Sequence, residues 1–438
     1  MNLALVTVDS LRADHVGCYG YERETTPNID ELASRSHVFT DAVAHACATR
    51  PSFPSLLTST QGMLYGGFDH LSEKQVPLSV PLSEEGYATG GFHSNPFLSE
   101  EFGYARGFDS FSDSEDDPTL ASRIRKYVSN NLDGPVHDLL EWLYNRGQEH
   151  AGVDVGSYYQ DAESLTDEAL SWVESADEPW FLWIHYMDPH HPYIPPDDHQ
   201  VFGETLSKRR GVKLRQQVLD NPDALSEEDW SDLVDLYDAE VRYTDAEIGR
   251  LLRGLDDATW MLTADHGEEF YEHENFGHKN RFYEEHVHVP LLFGGAGIED
   301  PDRHDDLVGL NDVPATLLDE AGIEAPETYR GRHVLSGERD RVVGGWARNA
   351  GTDLDRIRLM SRTGDEKYIR NDEADTEQLY DLRDDPGERE NLVGERGLGD
   401  HAAALDSFVA EIRETAGRSE SVEVGDDIEE RLENLGYK

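Results

Sequence analysis

The sequence predicts an α/β protein with a doubly wound central sheet flanked by helices and a smaller C-terminal α+β subdomain. Short apolar runs alternate with segments of helical periodicity, which is the pattern of parallel strands joined by helices. The 438 residues, 37% of them hydrophobic, suffice for one large domain with an appendage or for two ordinary domains. After about residue 330 the pattern changes to short strand-like pieces, which indicates the separate subdomain.

The first predicted strand covers residues 3–8, an apolar run that ends at Asp9, as expected of a central strand buried on both faces. A helix is predicted to begin at Thr26 and Pro27, with Thr26 as the N-cap and Pro27 in the first helical position. Three later strands are predicted at residues 180–184, 260–263 and 289–293. Apolar residues at helical spacing predict a long amphipathic helix over residues 233–252.

Residues 1–330 are predicted to form the main domain and residues 331–438 the C-terminal subdomain with an acidic tail. A polar segment of helical pattern, about residues 114–178, is either one wall or lid of a site or a solvated helical excursion. Strands are expected around residues 367–369 and 378–382, and a helix around 403–412. The tail, residues 419–438, is expected to fray.

The charge balance excludes a nucleic-acid-binding surface. The chain has 91 acidic and 38 basic residues, a net charge of -53, and phosphate backbones require a basic footprint. The acids are spread along the whole chain, and only 7 of the basic residues are Lys. An acidic, Lys-poor surface of this kind indicates adaptation to a very salty cytoplasm, as in a halophilic archaeon.

The N-terminal residues indicate neither secretion nor membrane insertion. The chain begins directly with a strand-like run that lacks a basic leader region and a long apolar stretch. Two cysteines, Cys18 and Cys47, provide neither a disulfide framework nor metal-ligand spacing. We therefore expect a cytoplasmic protein without a membrane segment; the sequence leaves its oligomeric state open.

Acidic and imidazole side chains directly follow two predicted strands: Asp9 follows the first, and Asp265 and His266 follow a later one. An isolated Asp at a strand end is more often a turn or cap residue, but five of the 19 histidines fall within residues 266–288. Carboxylates and an imidazole from separate strand ends can converge on one divalent ion. Oxygen-rich ligation favours Ca²⁺, Mg²⁺ or Mn²⁺, whereas additional histidines would admit Zn²⁺.

Six short motifs follow one another in an order that resembles the sulfatase family of the alkaline phosphatase superfamily over nearly the whole chain. They lie at residues 8–20, 26–30, 188–193, 263–268, 277–291 and 379–392. The resemblance implies an alkaline-phosphatase/sulfatase-like fold with its catalytic domain in residues 1–330. It also implies a metal-dependent hydrolase of an anionic ester derived from a small molecule, a glycan or a lipid.

The sequence departs from this family at the nucleophile. Family sulfatases have Cys or Ser there, within a C/S-x-P-S-R pattern, and convert it to formylglycine. The register of the flanking residues places Thr49 at this position, whereas Cys47 is two residues out of register. A threonine cannot become formylglycine, so the chain looks closer to superfamily members that use an unmodified Thr on phosphate or phosphonate esters.

Two further departures concern the metal and the substrate charge. Ser10 replaces the second Asp of the family, which reduces the expected metal ligands to Asp9, Asp265, His266 and the Thr49 oxygen, and Phe53 replaces the motif arginine. The resemblance then leaves several other candidates. Catalytic or charge-neutralising candidates are Arg50, His190, His278 and Lys279, and substrate-binding candidates are Ser10, His93 and Asn95. A second metal site at His190 and His278 is an additional hypothesis.

The favoured hypothesis is a hydrolase that cleaves a phosphate, phosphonate or sulfate ester through a covalent Thr49 intermediate, with phospho-esters preferred. A Thr sulfate would need a second direct attack at sulfur, whereas formylglycine releases sulfate by collapse of a hemiacetal. The alternatives are a true sulfatase, a transferase of phospho-alcohol groups between lipids or glycans, and an inactive relative that only binds. Retention of Asp9, Thr49, Asp265 and His266 disfavours the inactive relative.

Overall fold

A mixed eight-stranded sheet organises the main domain. The structure, a computed structural model, describes residues 1–66, 70–113, 159–255, 257–278, 281–337, 339–347 and 356–415. The strands of this sheet are β1 Asn2–Val8, β2 His37–Val43, β3 Ala88–His93, β4 Ser110–Ser112, β5 Trp180–Tyr186, β6 Ala258–Ala264, β9 His288–Gly295 and β10 Arg303–Gly309. Their order across the sheet is β10-β2-β9-β6-β1-β5-β3-β4. A separate two-stranded ribbon pairs β7 Glu269–Phe270 with β8 Phe276–Gly277.

Helices cover the faces of this sheet. They are α1 Pro27–Ala33, α2 Thr49–Thr58, α3 Ser79–Glu84, α4 Ala162–Ser175, α5 Lys208–Asp220, α6 Glu227–Gly254, α7 Glu284–Val287 and α8 Asp312–Glu320. The predicted long helix is α6, which begins at a capping box formed by Ser226 and Asp229. No helix in the described ranges combines the length and the apolar composition required to cross a bilayer.

One strand departs from a purely parallel sheet. β1 is parallel to β5 and β6, but β9 runs antiparallel to both β2 and β6. The chain between β6 and β9 forms the β7–β8 ribbon and the four-residue α7. This segment has no long crossover helix that could return the chain to the other end of the strands. The chain therefore re-enters the sheet at the end where β6 stops, and β9 runs antiparallel to β6.

The start of α1 also differs from the sequence prediction. Helix α1 begins at Pro27, but the Thr26 side chain makes no capping hydrogen bond. The carboxylate of Asp245, from α6, instead accepts hydrogen bonds from the backbone N–H groups of Asn28 and Ile29, the latter at 2.8 Å. A residue more than two hundred positions away therefore supplies the cap, and local sequence cannot reveal it.

The C-terminal subdomain is α+β, as predicted. Its antiparallel sheet consists of β11 Val342–Ala347, β12 Ile357–Arg362, β13 Glu366–Asn371 and β14 Thr376–Asp381, and the helix α9 His401–Thr415 packs on it. Residues such as Leu379 and Phe408 form its own buried cluster. The predicted acidic tail and most of the predicted insertion, residues 114–158, lie outside the described residues, and α4 occupies the end of that insertion.

A buried ionic network joins the two parts. Lys367 of β13 is fully buried, and its Nζ lies 2.8 Å from carboxylate oxygens of both Glu284 and Glu388. Arg362 reaches Asp41 at 2.6 Å and Glu284 at 3.2 Å. Burial would raise the pKa of Glu284, but Lys367 and Arg362 hold it well below its ordinary value. Lys367 and Glu388 depend on each other most strongly, because both side chains are fully buried.

We predict that Lys367→Met destabilises the protein by about 3–5 kcal/mol, because it leaves the buried Glu388 carboxylate without its cation and Glu284 with Arg362 alone. The measurement is the unfolding midpoint in urea at fixed salt. Arg396→Gln is the matched control: it breaks a 2.7 Å pair with Asp381 in which the Arg side chain is 47% exposed, and we expect a loss of about 1 kcal/mol or less. Equal losses in the two variants would contradict the proposed importance of burial.

Candidate active site

Polar side chains follow the carboxyl ends of β1, β2, β3 and β6, and these ends share one edge of the sheet. β2 has the same direction as β6 because each is antiparallel to β9. The side chains that meet there are Asp9, Thr49, Asn95, Asp265 and His266. All five are buried. The topology therefore brings together residues that are up to 257 positions apart.

Asp9 lies at the centre of this group. The Ser10 hydroxyl donates to Asp9 Oδ1 at 2.8 Å, and Asn95 Nδ2 donates to Asp9 Oδ2 at 3.2 Å. Ser10 adopts a left-handed conformation with φ 57°, and its backbone N–H donates to Asp265 Oδ1 at 3.2 Å. Ser10 and Asn95 thus hold the two carboxylates in place. Their role in substrate binding stays a prediction.

The hydroxyl of Thr49 reaches this centre from the first residue of α2. Thr49 Oγ1 lies 3.3 Å from Asp9 Oδ2 and 3.3 Å from His266 Nε2. The N-terminus of a helix stabilises negative charge on such an oxygen. Cys47 lies two residues before α2 in the apolar core, and burial raises the pKa of its thiol to about 12. The structure therefore places the Thr49 hydroxyl, and not the Cys47 thiol, beside Asp9.

The pKa values of the two carboxyl groups, Asp9 and Asp265, are shifted in opposite directions. Burial, together with the charge of Asp9, raises the pKa of Asp265 well above its ordinary value. Burial also acts on Asp9, but nearby histidines, His190 foremost, outweigh it and hold the pKa of Asp9 far below its ordinary value. Two carboxylates that share a buried space cannot both stay ionised without a compensating cation.

Asp9, Asp265 and His266 fit a divalent ion. One ligand atom from each lies within 4.8 Å of the others. Asp265 Oδ2 is buried without a hydrogen-bond partner among the described residues. His266 Nδ1 bonds the Gly267 carbonyl at 2.8 Å, and burial lowers the pKa of His266 to about 4, so Nε2 presents a lone pair to the carboxylates. This donor set of oxygen and neutral imidazole suits Ca²⁺, Mg²⁺ or Mn²⁺.

His185 is a site residue to which sequence analysis assigned no role. Its Nε2 lies 3.5 Å from Asp9 Oδ2, and its Nδ1 lies 3.1 Å from the Thr7 hydroxyl. The residue belongs to β5, whose seven positions are all buried. In a strand buried on both faces, the pattern of apolar residues does not distinguish a functional side chain from one that only packs. The one sequence signal for His185 is therefore its closeness to His190 along the chain.

Further histidines form a wall beside the carboxylates. The ring of His278 lies 4.6 Å from that of His266 and 5.1 Å from that of His190, between centroids. Burial lowers the pKa of His190 to about 3. Burial acts the same way on His278, but the Glu268 carboxylate, 3.2 Å from Nδ1, outweighs it and raises the pKa above its ordinary value. Lys279 lies outside the described residues.

Aromatic rings contact two further candidates. The guanidinium of Arg50 lies over the ring of Phe97, 4.9 Å from its centroid, and near Phe102. His93 is fully buried at the end of β3, with its ring 5.1 Å from Phe111 and 5.2 Å from Trp183. The structure thus places His93 in the packing of the aromatic core, because its side chain falls on the sheet face that those rings cover.

We predict that divalent ions stabilise the wild-type protein and that Asp265→Asn removes most of this gain. Saturating ion at a hundredfold excess over Kd contributes about 2.7 kcal/mol by mass action. In chelator, Asp265→Asn should be at least as stable as wild type, because it relieves the repulsion with Asp9. The measurement is the thermal midpoint with and without Ca²⁺, Mg²⁺ or Mn²⁺. Asp245→Asn, at the buried cap of α1, is the control and should keep the ion-dependent rise in thermal midpoint. An equally large rise in Asp265→Asn would contradict the proposed metal site.

We predict that stability falls as pH rises because of Asp188, next to the histidine wall. Burial raises the pKa of its carboxyl to about 8, although the Ala162 N–H donates to it at 3.2 Å. Between about pH 4 and 8 the Asp188 carboxyl keeps a proton in the folded state that it has lost in the unfolded chain, so the free energy of unfolding of the wild type falls as pH rises. Asp188→Asn has no such proton, and its stability relative to wild type should therefore increase by at most about 1.4 kcal/mol per pH unit. The measurement is the difference in thermal midpoint against pH, with exposed Asp319→Asn as the control for one lost charge. A constant difference for Asp188→Asn would contradict the prediction.

Comparisons with known proteins agree with the fold. The sulfatase family model matches residues 1–323, and the model of the C-terminal region of N-sulphoglucosamine sulphohydrolase matches residues 271–415. A Δ4,5-hexuronate-2-O-sulfatase of Bacteroides thetaiotaomicron is 22% identical, with 93% of this chain and 88% of the relative aligned. An arylsulfatase of Clostridium perfringens is 21% identical, with 96% and 95% aligned.

Among solved structures, the phosphonate monoester hydrolase of Agrobacterium radiobacter superposes with a TM-score of 0.67 at 19% identity, over 95% of this chain and 96% of that one. This likeness concerns the fold: a central sheet flanked by helices. The family match covers nearly all of the main domain and includes the strand ends that supply Asp9, Asp265 and His266. The chain therefore belongs to the sulfatase family, a family of hydrolases in the alkaline phosphatase superfamily.

Proposed function

We propose that this chain is a metal-dependent hydrolase of anionic esters that uses the unmodified Thr49 hydroxyl as its nucleophile and prefers phosphate or phosphonate esters to sulfate esters. The observation that supports it is the position of Thr49 Oγ1, 3.3 Å from both Asp9 and His266 at the start of α2. The Asp9 carboxylate is an acceptor that orients this hydroxyl, and the helix N-terminus favours its ionised form.

Asp9, Asp265 and His266 would hold the divalent ion, which supplies positive charge next to the reacting oxygens. The chain itself orients the nucleophile. Because His266 Nδ1 bonds a backbone carbonyl, the lone pair of Nε2 would go to the ion, and the Thr49 hydroxyl can direct its proton to Asp9 Oδ2 while its own lone pair faces the substrate. Asn95 and the Ser10 hydroxyl fix the Asp9 carboxylate so that it does not turn away.

The histidine wall would provide the acid and the base of a two-step reaction. Thr49 attacks phosphorus, the bond to the alcohol oxygen breaks, and the departing oxygen takes a proton. His278 is suited to give this proton because Glu268 raises its pKa. His190, with its pKa lowered to about 3, is neutral and can orient the water that cleaves the Thr49 ester by accepting a hydrogen bond from it. His278, after it has given up its proton, can take one from this water. Lys279 is a further candidate for the acid.

Phospho-esters are favoured by the chemistry of the second step. A phosphorylated or phosphonylated Thr49 is released by attack of water at phosphorus, whereas a sulfated Thr49 would need the same attack at sulfur without the hemiacetal route open to formylglycine. The relatives include both sulfatases and a phosphonate monoester hydrolase. A sulfatase is therefore the second candidate, and the family match to sulfatases is the observation in its favour.

We predict that Thr49→Ala lowers kcat/KM by about 10³-fold or more and that Thr49→Ser retains measurable turnover, because only Ser keeps the nucleophilic oxygen. The assay uses nitrophenyl phosphate, a nitrophenyl phosphonate monoester and nitrophenyl sulfate, in high salt with each divalent ion and with chelator. Thr58→Ala, at the other end of α2, is the matched control and should retain wild-type kinetics.

The outcomes separate the candidates. Phospho-ester turnover that is lost in chelator and in Thr49→Ala supports the proposal. Faster turnover of nitrophenyl sulfate than of the phospho-esters would favour the sulfatase. It would also refute the argument that hydrolysis of the covalent Thr49 ester favours phosphorus over sulfur. Wild-type turnover in Thr49→Ala would refute the nucleophile itself. Addition of an acceptor alcohol tests the transferase, which would release more nitrophenol than inorganic phosphate.

A further inference from the structure

A second cluster of possible metal ligands lies where the C-terminal subdomain meets the main domain. His273 belongs to the turn between β7 and β8, Glu285 to α7, and Glu388 to the segment after β14. One ligand atom from each lies within 4.8 Å of the others. The cluster shares no residue with the candidate active-site ligands. Because two of its members come from the main domain and one from the subdomain, an ion bound here would join the two parts.

The donor atoms of this cluster are buried and lack hydrogen-bond partners. The side chains of His273, Glu285 and Glu388 are 9%, 10% and 0% exposed. One atom of each, namely His273 Nε2, Glu285 Oε2 and Glu388 Oε1, makes no hydrogen bond to another described residue. A buried polar atom without such a partner costs free energy. Three of them in one place indicate that a ligand common to all three is bound there.

The positive charge around this cluster does not balance its carboxylates. The buried ionic network between the two parts contains two cations and three carboxylates, which are Lys367, Arg362, Asp41, Glu284 and Glu388. Glu285 adds a fourth carboxylate close to Glu388. His273 can bind an ion only as the neutral imidazole, so it supplies no charge of its own. With all four carboxylates ionised, two negative charges are left, and one divalent ion would neutralise them.

The spacing and number of these donors suit Zn²⁺. His273 Nε2 lies 3.4 Å from Glu285 Oε1. Two donors at about 2.0–2.1 Å from a tetrahedral zinc ion lie about 3.3 Å from each other. Three protein donors and one water complete the coordination of Zn²⁺, whereas Ca²⁺ takes about six to eight oxygens. The candidate active site differs in this respect, because the Thr49 hydroxyl and the oxygens of a bound ester would add to its donors.

Neighbouring residues hold the His273 ring in this orientation. The ring stacks on that of Tyr283, with centroids 3.6 Å apart and planes at 8°. The Tyr283 hydroxyl accepts a hydrogen bond from Gln378 of β14 at 2.9 Å, and the backbone N–H of His273 donates to Glu269 Oε1 at 3.0 Å. Outer contacts of this kind orient the ligands of metal sites. The imidazole is thus positioned by both parts of the protein.

We propose that His273, Glu285 and Glu388 form a structural Zn²⁺ site that is distinct from the active-site ion and fastens the C-terminal subdomain to the main domain. His278 of the histidine wall lies between His273 and Glu285 in the chain, so the bound ion also restrains the segment that carries His278. The site takes part in no step of ester cleavage. It therefore goes beyond the proposed function and does not depend on it.

The test measures the Zn²⁺ bound per chain by equilibrium dialysis and elemental analysis. The parent protein is Asp265→Asn, in which the active-site ligand set is incomplete. Adding Glu285→Gln, or His273→Phe, which keeps a ring against Tyr283 but removes the donor nitrogen, should lower the bound Zn²⁺ by about one ion per chain. Either change should also remove the corresponding rise in thermal midpoint with Zn²⁺. The control adds Glu274→Gln, which removes the same charge from an exposed residue of the same turn and should bind as much Zn²⁺ as the parent.

Equal Zn²⁺ binding in the Glu285→Gln, His273→Phe and Glu274→Gln proteins would overturn the proposal and leave His273 and Glu285 as a simple ion pair. Loss of the ion in the first two variants but not in Glu388→Gln would overturn the link to the subdomain.

X-ray absorption at the zinc edge of the parent protein needs no variant at the site, so misfolding of a variant cannot obscure the result. It should show one imidazole nitrogen and oxygen ligands at about 2.0 Å, and a shell with no imidazole or with several would overturn the proposal. Since no ester is present, either result leaves the proposed hydrolysis through Thr49 untouched.

Discussion

The repulsion between two buried carboxylates is the constraint on which the rest of the site depends. β1 and β6 are adjacent and in register, with Val8 opposite Ala264, so the next residues, Asp9 and Asp265, must emerge side by side. The sheet does not allow them to separate. Their charge must be met locally, and the surrounding groups do so: the Ser10 N–H, the Asn95 amide and a set of imidazoles all face them. A divalent ion would supply the positive charge that two ionised carboxylates require and that the neutral groups around them do not provide.

The same concentration of charge separates the protonation states of the histidines. His190 has a pKa lowered by burial, whereas His278 has a pKa raised by Glu268, although their ring centroids are only 5.1 Å apart. Such divergence between neighbouring groups is how one site holds an acid and a base at the same pH. Glu268 thus matters as much as the side chains that would touch substrate, and it belongs to the same strand-end segment as Asp265.

The sequence was sufficient for the parts of the fold and site that are local. Apolar runs located β1, β5, β6 and β9 to within two residues at each end, and the polar residues that follow β1 and β6 meet in space. It could not supply properties set by tertiary packing. The direction of β9 depends on where its preceding loop re-enters the sheet, the cap of α1 comes from α6, and His185 is one buried position among seven. The position of His93 in the aromatic core was equally invisible, because a histidine at a strand end looks the same whichever face it takes.

The net charge of -53 poses a problem for a site that must admit an anion. A strongly acidic surface repels such a substrate at long range, and salt reduces but does not reverse this repulsion. The structure provides two short-range features that attract an anion: a helix N-terminus at Thr49 and a wall of imidazoles. At high salt only groups within a few ångströms of a charge still attract it strongly. Binding of an anionic group at this site would then depend on direct contacts with these groups and not on the field of the whole protein.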